Sequence, residues 1–80
     1  MNMFSYNTKT GNIMQGKYIV RWEKDENGLR FYTVKRNCKN YFCEAEKKDF
    51  IKCVKWLTRF IGCNFGDEVN NWIKENDKNE

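Results

Sequence analysis

Four cysteines, Cys38, Cys43, Cys53 and Cys63, carry the most varied chemistry in this chain, at the spacing C-x4-C-x9-C-x9-C. A structural zinc usually draws on two close pairs, and only Cys38 with Cys43 resembles one. Cys53 falls near the apolar face of a helix and Cys43 in a short strand, where thiols pack as small hydrophobes. The spacing therefore favours structural or free thiols over a disulfide, and a disulfide over zinc; no metal ligand is assigned and no cofactor is expected. Catalysis finds little footing. There is no histidine to act as general base near neutral pH, so a cysteine nucleophile lacks its usual partner. Glu44 and Glu46 stand at a helix start, where the positive end of the macrodipole explains them. No glycine-rich phosphate loop is present. A binding protein, not an enzyme, is the expectation.

The residues that could bind form two sets. Lys48, Lys52, Lys55 and Arg59 recur at helical spacing with no carboxylate on their line. Such a stripe contacts phosphate or an acidic partner, or else is a solvated face that keeps an aromatic-rich protein soluble. The second set is Lys17, Arg21, Arg30 and Arg36 around Tyr32, on one face of a hairpin. Cations around an exposed aromatic on a sheet serve single-stranded nucleic-acid platforms and protein hot spots alike. The same face could also be covered by the N-terminal segment or be the wet side of an antiparallel sheet. All three readings stay open on sequence grounds.

Two elements must position these sets. In Glu46 to Ile61, at 100° per residue, Phe50, Val54, Leu57 and Ile61 share a line, flanked by Ile51 on one side and by Cys53, Phe60 and Trp56 on the other. This spacing predicts one long amphipathic helix, stopped by Gly62. Lys17 to Lys24 and Leu29 to Arg36 are rich in β-branched and aromatic residues and flank Asp25 to Gly28, which ends in Asn-Gly; they read as a β-hairpin. Tyr18, Val20, Trp22, Leu29, Phe31 and Thr33 should face the helix. A two-residue and a four-residue loop give the same faces, and the latter sets Glu23 opposite Arg30 and Trp22 opposite Phe31.

The remaining stretches are shorter. Asn37 to Asn40 reads as a turn and Tyr41 to Ala45 as a third strand. Asp67 could cap a short C-terminal helix bearing Val69, Trp72 and Ile73, with fraying after Glu75. Residues 1–16 are either weakly structured or an extra hairpin. The expected fold is α+β: a three- or four-stranded antiparallel meander packed on one long amphipathic helix, in one domain spanning residues 1–80.

Eighty residues bury only about 60% of their unfolded surface, and three Trp, four Tyr and six Phe supply large apolar area in few positions. Charge is uneven. Residues 1–66 hold 13 Lys/Arg against 6 Asp/Glu, a net +7, while residues 67–80 hold 2 against 5, a net −3. A basic body attracts phosphate or acidic protein faces. No apolar run reaches membrane-spanning length and no signal peptide is visible, so no membrane contact and a cytoplasmic location are expected. A monomer and a homodimer are both compatible with the sequence.

The order of hairpin, third strand and main helix over residues 17–61, in an Asn/Lys-rich chain of this size, resembles the small phage-encoded accessory proteins, among them the anti-CRISPR proteins. The resemblance implies a stoichiometric inhibitor or modulator of a protein or nucleoprotein complex in a host cytoplasm, with direct nucleic-acid binding as the alternative. No motif carries over residue by residue. The basic body departs from the acidic, DNA-mimicking members of that group.

Overall fold

A computed structural model describes residues 4–77, and its element order follows from local turn chemistry. Asn7 Oδ1 accepts hydrogen bonds from the N–H groups of Lys9 (3.0 Å) and Thr10 (3.2 Å). This Asx turn closes β1 (Phe4–Asn7) onto β2 (Asn12–Gln15) in antiparallel register. Of the two readings for residues 1–16, the extra hairpin is the one formed from Phe4 onward.

β3 (Tyr18–Ile19) pairs with β2. Val20 then donates its N–H to the Ile13 carbonyl at 2.9 Å and buries its side chain. Beyond it the chain changes partner: β4 (Arg21–Asp25) pairs with β5 (Gly28–Lys35), and β5 with β6 (Cys38–Tyr41). The single meander of three or four strands is therefore corrected to two three-stranded antiparallel sheets. The run Lys17 to Lys24 has the composition of one strand, and only the switch of hydrogen-bonding partner at Val20 divides it. The α+β class holds.

The hairpin register matches the longer-loop expectation, with Trp22 opposite Phe31 and Glu23 opposite Arg30. Its inner face buries Val20, Phe31 and Thr33, but Trp22 at the margin stays 40% exposed. The second turn differs from expectation. Arg36 and Asn37 both take left-handed backbone, at φ 53° and 64°, the pairing that matches the twist of a tight hairpin. The third strand consequently runs over Cys38–Tyr41 and not over residues 41–45.

Next comes α1 (Glu44–Trp56), which begins two residues before the expected start. Glu46 Oε1 accepts the Cys43 N–H at 2.9 Å, satisfying a donor that the first helical turn leaves without a partner. A π-helical turn, Leu57–Ile61, continues it; the Gly62 N–H donates to the Leu57 carbonyl five residues back, and Gly62 at φ 83° ends the helix as expected. In α2 (Asp67–Asn76), Gly66 and not Asp67 holds the capping position. Val69, Trp72 and Ile73 are buried. Asn76 closes this helix and Asp77 bonds Lys55; the rest of the expected frayed tail, residues 78–80, lies outside the described residues, as do residues 1–3.

Phe50, fully buried, is the hub of the core. Its ring lies 4.5 Å from Phe31, 5.3 Å from Phe42, 5.5 Å from Phe4 and 6.4 Å from Trp72, centroid to centroid. Such pairs contribute about 0.5–1.5 kcal/mol each beyond the area they bury. One polar relay crosses this core: Thr33 Oγ1 donates to Gln15 Oε1 at 3.5 Å, and Gln15 Nε2 donates to Glu46. It ties β5, β2 and the first turn of α1 together.

Candidate functional site

The outer face of β4, β5 and β6 brings Arg21, Arg30 and Tyr32 together through the ladder, since Arg21 stands opposite Tyr32. Two further residues join them that the sequence reading placed elsewhere. Tyr41 stands opposite Tyr32 on β6, with ring centroids 5.6 Å apart. Lys39 Nζ lies 5.0 Å from the Tyr32 ring, and the Arg30 guanidinium 3.6 Å from the Tyr41 ring. Once the turn moves to Arg36 and Asn37, period-two alternation puts Lys39 and Tyr41 on this face; the signal was the left-handed tolerance of Asn37. The remaining two residues of the expected set lie in turns. Lys17 follows Gly16 and sits 5.6 Å from the Tyr18 ring, while Arg36 forms the corner of the β5–β6 turn.

Charge on this face is largely answered from within. Glu23 accepts hydrogen bonds from Lys39 Nζ (2.6 Å) and the Tyr41 hydroxyl (2.8 Å), and Arg30 pairs with Asp25 at 3.4 Å. The Lys39 and Tyr41 bonds hold the Glu23 carboxyl below its ordinary value, and the same carboxylate raises Lys39 and Tyr41 above theirs. A ligand phosphate or carboxylate at Lys39 or Arg30 would have to displace Glu23 or Asp25, whereas Arg21 makes no ion pair with another described residue.

Along α1 the expected cation stripe divides. Lys52, Lys55 and Arg59 border an open groove of about 680 Å³ between the C-terminal half of α1, the π turn and α2, whereas Lys48 lies a turn earlier and outside it. Across the groove stands Lys74 of α2, a fourth cation that the sequence reading did not include. Thr58 and Asn70 add to its polar lining, and no carboxylate is among the described residues that line it. Lys55 pairs with Asp77; Lys52, Arg59 and Lys74 make no ion pair with another described residue.

Val54 and Ile73 are among the lining residues but are buried in the core, so the apolar surface of the groove comes chiefly from Trp56 and Phe60. Their rings lie 5.9 Å apart, 53% and 64% exposed, and Ile61 beside Phe60 is 53% exposed. Ile61 and Phe60 were expected on or beside the buried line of the helix. The π turn takes one more residue per hydrogen-bonded turn, so the 100° spacing that placed them there ends at Leu57. The cysteines are free thiols, Cys38 and Cys43 exposed and Cys53 and Cys63 half-buried; burial raises Cys53 above an ordinary thiol. No group of three or more metal-binding side chains occurs among the described residues, and no helix there is long and apolar enough to cross a membrane.

Compared with protein-family models, with curated proteins and with solved structures, the chain matches none.

Proposed function

We propose that this chain is a non-catalytic binding protein whose groove between α1 and α2 docks an acidic protein partner, free or within a nucleoprotein complex. The observation that carries the reading is the exposure of Trp56, Phe60 and Ile61 beside Lys52, Arg59 and Lys74. Large apolar side chains are costly to leave in water, at about 25 cal/mol per Å². Trp and Arg are the residues that dominate protein interfaces, where an apolar centre is ringed by polar groups. The stoichiometric inhibitor or modulator role implied by the phage-protein resemblance is of this kind, since it needs affinity and no chemistry. The perturbed groups Glu23, Lys39, Tyr41, Glu46 and Tyr6 each have a local structural partner, and burial alone accounts for Cys53, which supports the non-catalytic reading.

Selection from a random peptide library tests this. Wild-type protein should enrich peptides that combine Asp/Glu with large apolar residues, and a Trp56→Ser, Phe60→Ser variant should lose that enrichment. Equal enrichment by both proteins contradicts the assignment.

A second reading, direct binding of single-stranded nucleic acid, is favoured by the same aromatic pair among cations. It predicts that a fluorescent oligonucleotide binds, with an affinity falling steeply as salt rises. The exposed aliphatic side chain of Ile61, next to Phe60 in the chain, favours the protein.

A further inference from the structure

Resting on the docking reading above, we infer that the occupant of the groove is an acidic amphipathic α-helix of the partner, presenting about two to three turns. Three features of the groove select a helix. Its walls are helices, whose backbone donors and acceptors are consumed internally, so no sheet edge is available for an added strand to pair with. Its apolar lining, chiefly Trp56 and Phe60, has cations on both walls, Lys52, Lys55 and Arg59 along α1 and its π turn and Lys74 on α2. A helix with one apolar stripe carries polar residues on both flanks of that stripe, so Glu or Asp on either flank meets a cation. Finally, Trp56 and Phe60 are one turn apart, and apolar residues spaced i, i+4 on a facing helix repeat at the same interval.

The size agrees. From Lys52 to Phe60 the wall is about 12 Å long at 1.5 Å per residue, two turns of a bound helix. The sign of charge is set by Lys52, Arg59 and Lys74, which make no ion pair with another described residue. A basic or neutral helix would bring these cations against like charge or strip them of water without return.

The test uses the whole protein with three labelled probes: a peptide of about 16 residues with Leu at i, i+3, i+4 and i+7 flanked by Glu, a peptide of the same composition with Leu and Glu alternating, and a short oligothymidylate. The helix-patterned peptide should bind and gain helical ellipticity at saturation. Affinity should fall about tenfold or more with Trp56→Ser, Phe60→Ser, and again with Lys52→Glu, Lys74→Glu. Thermal unfolding of each variant, close to that of wild type, shows that the loss is not one of folding. Equal or tighter binding of the alternating peptide, or binding without helix gain, overturns the helical occupant and leaves protein docking standing. Binding by the oligonucleotide alone, lost in the Trp56 and Phe60 variant, overturns both. Failure of all three probes overturns the helical occupant.

Discussion

The rings of Trp56 and Phe60 lie 5.9 Å apart at 41° to each other, and each remains more than half exposed. Two helical turns upstream, Phe50 on the same helix is fully buried among Phe4, Phe31, Phe42 and Trp72. One helix thus presents aromatic side chains to the core at one end and to solvent at the other. The contrast separates residues that hold the fold from residues left for a partner.

That contrast predicts opposite mutational outcomes. Phe50→Ala should cost about 3–5 kcal/mol, most of a total stability of roughly 5 kcal/mol for a chain this small. Trp56→Ser or Phe60→Ser should change stability by under about 1 kcal/mol. Urea unfolding followed by circular dichroism distinguishes them; loss of the fold with Phe60→Ser would make the exposed ring structural.

Glu46 links helix capping to the buried relay, and its pH behaviour follows. Burial pushes its carboxyl up, but the Cys43 N–H, the Gln15 amide and the Cys43 thiol together hold it below the ordinary 4.5. A depressed carboxyl contributes stability that is present above its unfolded value and is lost as pH falls through the folded one. Wild type should therefore lose stability below about pH 4.5, and Glu46→Gln should flatten that acid limb. Glu46→Ala should cost about 1–3 kcal/mol at neutral pH, because it removes the cap and leaves the Gln15 amide buried without its acceptor.

Much of this was legible in the sequence. Phe50, Ile51, Val54 and Leu57 declared the buried face of α1 by spacing alone, Gly62 declared its end, and alternation gave the hairpin faces while leaving two registers open, of which the structure takes the one with Trp22 opposite Phe31. The division into two sheets was not legible, because it depends on which strand Val20 neighbours and not on what Val20 is. The groove was half legible. Lys52, Lys55 and Arg59 form a stripe that any helical wheel shows, but Lys74 joins them only through the packing of α2. Phe60 looked like the margin of the core because a π turn leaves no mark in apolar periodicity, whereas Trp56, six residues after Phe50, already points about 120° away from the buried line within α1 itself.

Arg36 is a local rule broken in the open. At φ 53° its Cβ crowds the following carbonyl oxygen, a strain of roughly 1–2 kcal/mol that glycine relieves. Arg36→Gly should raise the melting temperature by a few degrees, since about 1 kcal/mol shifts a domain of this size by roughly 4–8 °C. A lowered melting temperature would mean that the arginine side chain makes a compensating contact.

The four thiols should separate by reactivity. Cys38 and Cys43 are exposed, while Cys53 is half-buried with its thiol raised by burial, so it holds less thiolate at neutral pH. Timed alkylation with peptide mass mapping should label Cys38 and Cys43 first and Cys53 last. Early labelling of Cys53 would show that α1 opens at that turn.

The most direct test of the docking groove is chemical-shift mapping of isotope-labelled protein titrated with the helix-patterned Leu/Glu peptide. Shifts concentrated in residues 52–60 and 70–74 are the predicted result. Shifts confined to the sheet face around Arg21, Arg30, Tyr32, Lys39 and Tyr41 would contradict it and move the binding surface to the hairpin.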